Sequence, residues 1–219
     1  MAFTILWAVT WYIVRSVLRT FAGFKVKGLE NLDGLGRPVV IVSNHVSYLD
    51  PPVLGAAIPL RSSIMPVSFI ARKEIYIPVV SQLITMLGTV QIDTKKPLSA
   101  LRASLGLLKN GRSIAIFPEG TRSPNGELQS FMEGADFLAA KSGAPVLPVV
   151  IIGTFRPGFG YLSGLKKTIL FLTGRYRIEV VFGEPFSGKV EEGYIKFYKE
   201  VVKRQHDLTT TQFTARSQG

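Results

Sequence analysis

The residues of this chain best suited to chemistry are His45 and Asp50, in the run Asn44-His45-Val46-Ser47-Tyr48-Leu49-Asp50. The sequence holds only two histidines, and this one follows directly on the apolar run Pro38-Val39-Val40-Ile41-Val42-Ser43. Imidazole is the side chain that exchanges protons most readily near neutral pH. A carboxylate on its second nitrogen fixes the tautomer and stabilises the charged form. The spacing sets a condition, because positions i and i+5 lie about 140° apart on a continuous α-helix and do not face each other. The two side chains meet only in a short turn, or in a helical start that folds back. Pro51-Pro52, next in the chain, favours such a break, since proline lacks an amide donor and disfavours helical geometry in the residue before it.

A second polar group follows a second apolar run. Ser113-Ile114-Ala115-Ile116 leads into Phe117-Pro118-Glu119-Gly120-Thr121-Arg122-Ser123. In open α/β sheets, ligands gather beyond the carboxyl ends of the strands, so these two strand ends are expected to face one cleft. Arg122 offers a planar fork that suits a phosphate. Gly120 allows close backbone approach to a ligand, and Thr121 and Ser123 add hydroxyls. Glu119 would repel a phosphate, so its expected task is to accept a hydrogen bond from a ligand hydroxyl or to orient Arg122. Taken alone, the same seven residues also read as a capped loop with a surface salt bridge.

The elements that must position these groups alternate along the chain. Strands are expected at 24–26, 38–43, 67–71, 89–92, 113–117, 146–152 and 176–182. Helical periodicity appears at 79–87, 98–109, 133–141 and 191–207. Such alternation predicts an α/β fold, a mixed and mostly parallel sheet flanked by helices. The division expected is an N-terminal membrane-interface helix at 1–24, one catalytic domain at 25–208 and a fraying polar tail at 209–219. Residues 75–91 carry no charge but include Pro78 and Gly88. They read as a core helix, the lining of an apolar cavity or a dip toward lipid.

Composition narrows the partners. The 219 residues include no cysteine, so disulfides and thiolate chemistry are excluded. With two histidines, a zinc site would draw mostly on carboxylates, and no metal is expected. A net charge of +11 points to an anionic partner: nucleic acid, a phospholipid surface or an acidic carrier protein. Between Asp136 and Glu179 there is no acidic residue, while Lys141, Arg156, Lys166, Lys167, Arg175 and Arg177 alternate with large apolar side chains. That mixture suits an anionic membrane better than a duplex, though a solvated basic face over ordinary core residues reads equally well. Residues 1–14 are uncharged and carry Trp7, Trp11 and Tyr12, with Arg15 and Arg19 following. The run is short of the roughly 20 residues of a spanning helix, and its charges come after it, unlike those of a signal peptide. The expectation is a monotopic amphipathic helix whose arginines reach lipid headgroups. A tilted single span and a soluble packing helix are the alternatives.

Asn-His-x4-Asp joined to Phe-Pro-Glu-Gly-Thr-Arg-Ser resembles the signature of the glycerophospholipid acyltransferase family, and both stand intact at 44–50 and 117–123. Ala71-Arg72-Lys73-Glu74, with Pro78 and Gly88, looks like that family's second block. Ala144-Pro145-Val146-Leu147-Pro148-Val149 looks like its fourth. The resemblance covers about residues 25 to 185. It departs at Gln91-Ile92-Asp93-Thr94-Lys95-Lys96, where Thr94 stands in place of the family's usual arginine. Either Lys95 meets the phosphate as a point charge, or the headgroup is held differently.

The resemblance implies transfer of a fatty acyl chain from acyl-CoA or acyl carrier protein to the sn-2 hydroxyl of lysophosphatidic acid. The product would be phosphatidic acid, made at the cytoplasmic face of a membrane, and no cofactor is implied beyond the acyl donor. His45 would be the general base and Asp50 its orienting partner. Arg122, Lys73 and Lys95 would hold the acceptor's phosphate, Glu119 and Gly120 would meet its glycerol region, and Thr121 would be a further substrate-binding residue. The same chemistry on another acceptor, such as a lyso-ornithine lipid, is one alternative. A non-catalytic basic membrane-binding module is another. A serine hydrolase would need a Gly-x-Ser-x-Gly turn, which the sequence lacks.

Overall fold

The apolar runs pair with one another in the computed structural model, which describes residues 2–72, 89–92, 97–155 and 177–217. Seven strands form one sheet: β1 (Lys25–Lys27), β2 (Val40–Ser43), β3 (Val67–Arg72), β4 (Val90–Ile92), β5 (Ser113–Ile116), β6 (Val146–Ile152) and β7 (Glu179–Phe182). Their order is β1-β7-β6-β2-β5-β3-β4. All neighbours run parallel except β6 and β7. The sheet is therefore mixed and mostly parallel, as the alternation of elements predicts. Around it lie α1 (Ala2–Ala22), α2 (Asp50–Ala57), α3 (Pro97–Lys109), α4 (Gly134–Ser142) and α5 (Val190–Ser217).

Both faces of the sheet are covered, which explains the unbroken apolar character of β2 and β5. On one face Val39, Ile41, Ala115, Leu147 and Val149 pack with Leu18 and Ala22 of α1 and Val53 and Leu54 of α2. On the other, Val40, Val42, Ile114, Val146 and Val150 pack with Leu108 of α3, Leu138 of α4 and Tyr194 and Val201 of α5. Burying each aliphatic side chain contributes roughly 1.5–3 kcal/mol. A one-residue slip would exchange the two sets across the sheet, so the register of the central strand is firmly set. β2 lies between β6 and β5, and its carboxyl end emerges from the middle of the fold.

Helix α1 has two different faces. Trp7, Leu18 and Ala22 are buried, whereas Ile5, Val9, Tyr12, Ile13 and Val17 are exposed. Arg15 does not reach outward as expected. Its guanidinium donates to the carbonyl of Ala56 and lies 4.8 Å from the Trp11 ring centroid. Burial, and secondarily the charge of Arg19, pulls its pKa below the ordinary guanidinium value. Trp11 donates its Nε1–H to the carbonyl of Ile58 at 2.8 Å. These carbonyls close the C-terminal end of α2, where helical oxygens lack internal partners and a cation is favoured. Among the described residues, no helix is long and apolar enough to cross a membrane.

Within the tail expected to fray at 209–219, the α5 backbone is helical through Ser217. The reason is that no glycine or proline interrupts 194–217, so each residue adds a hydrogen bond to an existing helix. The helix expected at 79–87 and residues 156–176 of the basic, apolar stretch lie outside the described residues. The cap on α2 is testable. Trp11→Phe keeps a ring and deletes the donor, so urea unfolding should show a loss of about 1 kcal/mol at unchanged slope. An unchanged midpoint would remove Trp11 from the stabilisation of α2.

Candidate active site

Strands β2 and β5 run side by side and parallel, with Val42 opposite Ile116. The two polar motifs therefore leave the sheet at the same edge, as the strand-end argument expects. The first motif turns immediately. Asp50 is the first residue of α2, and its amide donates to the carbonyl of Ser47 at 3.2 Å. Pro51 and Pro52 occupy the first helical turn, where amides have no internal acceptor and proline costs little. The chain thus bends before the prolines, and the diproline opens a helix rather than ending one.

One oxygen closes this turn. Asp50 is fully buried, and its Oδ2 accepts the amides of Val46 and Ser47, each at 2.7 Å. The same Oδ2 lies 2.9 Å from His45 Nδ1. A carboxylate only accepts here, so Nδ1 carries a proton, and in the neutral imidazole the lone pair is on Nε2. The imidazole stacks on Phe117, with ring centroids 4.4 Å apart. Its side chain is 16% exposed, and Nε2 makes no hydrogen bond to a described residue. A proton acceptor therefore sits partly open to the outside, with a buried negative charge behind it.

Glu119 takes a task that the sequence did not suggest. Its Oε1 accepts the backbone amide of His45 at 2.7 Å, and its Oε2 accepts that of Gln129 at 2.9 Å. It is 5% exposed, and among the described residues it forms no ion pair with Arg122. Burial raises its pKa, against the opposing pull of the two amides and of His45. Ser123 completes the seam by donating its amide to the carbonyl of His45 at 2.8 Å. The backbone of His45 is thus gripped on both sides by the second motif. Gly120 is demanded by the turn itself, since its φ is +68° and a Cβ there would come 2.3 Å from the sulfur of Met132.

Arg122 and Thr121 are exposed at the same edge. The guanidinium carbon of Arg122 lies 3.6 Å from the ring centroid of Tyr48 in the first motif. Lys73, Lys95 and Thr94 lie outside the described residues.

Sequence reasoning passed over Asn44 and Tyr194 as site residues. The Asn44 carboxamide donates to the carbonyl of Ile151 at 2.9 Å and accepts its amide at 2.8 Å. It acts as one more peptide unit, extending the pairing of β2 with β6 past the end of the strand. The Asn44 backbone amide donates to the phenol of Tyr194 at 2.8 Å, and that phenol donates to the carbonyl of Val149 at 2.9 Å. Burial pushes the Tyr194 phenol well above its ordinary pKa, so it remains a donor. Asn44 was visible as part of the motif. Tyr194 looked like one more apolar position of a C-terminal helix, and no local pattern marks its hydroxyl. Beside this network is a cavity of about 220 Å³, lined in part by Val46, Ile151, Phe155, Tyr198 and Val202.

Comparison with known proteins agrees with this arrangement. Residues 23–152 match the model of the acyltransferase family. The chain is 39% identical over 138 residues to a chloroplastic 1-acyl-sn-glycerol-3-phosphate acyltransferase of Arabidopsis thaliana, covering 61% of this chain and 37% of that protein. It is 36% identical over 150 residues to the 1-acyl-sn-glycerol-3-phosphate acyltransferase of Pseudomonas aeruginosa, covering 65% and 56%. The chain thus spans between about a third and three-fifths of the length of these curated relatives. The crystal structure of the 1-acyl-sn-glycerophosphate (LPA) acyltransferase PlsC from Thermotoga maritima superposes with a TM-score of 0.67 at 30% identity, covering 93% of this chain and 79% of that one. The family match includes both motifs and every hydrogen bond that joins them, and extends over more than half the sequence: the chain belongs to the acyltransferase family.

Proposed function

We propose that this chain transfers a fatty acyl group from a thioester to the sn-2 hydroxyl of lysophosphatidic acid, forming phosphatidic acid. The observation that carries the reading is the 2.9 Å contact of His45 Nδ1 with a fully buried Asp50, which leaves Nε2 as the open base. The names of the relatives specify this acceptor, and Arg122, exposed at the same edge, offers the fork for its phosphate.

The chemistry follows from the groups present. An alcohol is a weak nucleophile, and Nε2 of His45 takes its proton as the oxygen attacks the thioester carbonyl. The Asp50 carboxylate stabilises the resulting imidazolium. When the tetrahedral species collapses, the carbon–sulfur bond breaks and the imidazolium proton goes to the departing sulfur. A thioester is already activated, so no protein nucleophile is needed. Arg122, with Lys73 and Lys95, anchors the phosphate remote from the reacting hydroxyl. That binding orients the hydroxyl toward the carbonyl. Thr121, exposed beside Arg122, supplies a hydroxyl toward the glycerol region. The +11 charge suits either acyl-CoA or acyl carrier protein, both acidic. Thr94, which replaces an expected arginine, favours testing other lyso-lipid acceptors beside lysophosphatidic acid.

The exposed face of α1 fits the same reading. Ile5, Val9, Tyr12, Ile13 and Val17 recur at helical spacing and form an apolar stripe that would lie in the interface of an anionic membrane. In this reading the helix lies on the cytoplasmic face rather than crossing.

His45→Ala should lower product formation roughly 10²–10⁴-fold with an unchanged circular-dichroism spectrum. Asp50→Asn should lower it comparably by removing the charge behind the imidazole. Mass spectrometry of the products, with several lyso-acceptors offered beside both donor types, reads the effect and the acceptor together. Near-normal turnover by His45→Ala would sink the mechanism. For the membrane face, Val9→Asp combined with Ile13→Asp should reduce co-sedimentation with phosphatidylglycerol-containing vesicles. Unchanged sedimentation would take α1 off the lipid surface.

A further inference from the structure

We propose that Tyr48 is a positioning residue for the acceptor's anchor: its ring holds the Arg122 guanidinium flat and turns its N–H edge toward the phosphate. The proposal rests on the assignment of Arg122 to that phosphate. Tyr48 is 64% exposed, one of the most exposed large apolar side chains among the described residues, so core packing does not account for it. The guanidinium carbon of Arg122 lies 3.6 Å from its ring centroid. At that distance the cation sits on the ring face, where a flat, stacked guanidinium fits best, because an edge-on one would press an N–H against the ring. Stacking occupies the face of the cation and leaves its five N–H donors pointing outward in the plane. Arg122 forms no hydrogen bond with a described residue, so this edge is available to a ligand. A long, exposed arginine would otherwise sample many rotamers, and the aromatic face restricts it before the ligand arrives.

Both partners are tied to the dyad through the backbone. Tyr48 lies in the turn that Asp50 closes through the amides of Val46 and Ser47, and Ser47 Oγ accepts the amide of Leu49 on its other side at 3.2 Å. Arg122 precedes Ser123, whose amide is bonded to the carbonyl of His45. The stack therefore relates the phosphate anchor to the position of the His45 base. Its loss should loosen acceptor binding without disturbing the base or the thioester.

The test is a kinetic cycle on the full chain. An exposed cation–aromatic contact predicts that Tyr48→Leu raises KM for lysophosphatidic acid about three- to fivefold. In that variant kcat and the KM for the acyl donor, whichever of acyl-CoA and acyl carrier protein supports turnover, should stay within about twofold, since the base and donor are untouched. Tyr48→Phe, which keeps the ring, should restore the acceptor KM. In an Arg122→Gln background, Tyr48→Leu should add nothing further. The proposal is overturned if Tyr48→Leu has the same effect in both backgrounds, if Tyr48→Phe behaves like Tyr48→Leu, or if Tyr48→Leu is silent while Arg122→Gln raises KM. An Arg122→Gln variant with unaltered acceptor KM would instead refute the phosphate assignment, and the proposal with it.

Discussion

One carboxylate oxygen organises this molecule. Oδ2 of Asp50 receives the imidazole of His45 and the backbone amides of Val46 and Ser47. A fully buried charge is costly unless it is hydrogen-bonded, and three donors meet that need at Oδ2, while the buried Oδ1 has no hydrogen-bond partner among the described residues. The start of α2 helps, because a helix N-terminus favours a negative group. The turn, the tautomer of His45, the outward direction of Tyr48 and the first turn of α2 all follow from this arrangement. At its other end α2 is closed by Trp11 and Arg15 of α1. The same short helix thus links the dyad to the element that carries the exposed apolar face.

The second level of organisation is the seam between the motifs. Two backbone amides, from His45 and Gln129, need acceptors at one buried place. A carboxylate supplies one oxygen to each, whereas an amide in its position would present an NH2 group to one of them. This accounts for a buried Glu119 despite the desolvation that raises its pKa. Asn44 and Tyr194 do similar work on the β6 side. Buried polar groups that are fully paired restrict the backbone more tightly than apolar packing can. The base is consequently placed by its neighbours' hydrogen bonds rather than by its own packing alone.

Helix α1 shows how one pattern supports two environments. Its inward face contributes Trp7, Leu18 and Ala22 to the core, and its outward face leaves five large apolar residues uncovered. The arginine that composition alone would send to headgroups is instead drawn inward, because the carbonyls ending α2 need donors and the Trp11 ring lies against the cation.

The sequence by itself determined the alternation of strands and helices, the two polar strand ends and the requirement that the chain bend between His45 and Asp50. These are local facts, carried by apolar runs, by a spacing that does not match a helix and by prolines that cannot donate. All seven expected strands occur: β2, β5 and β6 are short buried runs whose length and composition admit little else, whereas β1 is an exposed Lys-Val-Lys edge strand held by its pairing with β7. The tertiary structure decided what the local pattern leaves open: that β2 and β5 are neighbours, that Glu119 serves the backbone of His45, that Arg15 turns inward, and that Tyr194 reaches Asn44 across 150 positions. Each of these joins residues far apart in the chain. Their partners are selected by which buried donors and acceptors the fold brings together, and no spacing along the sequence records that.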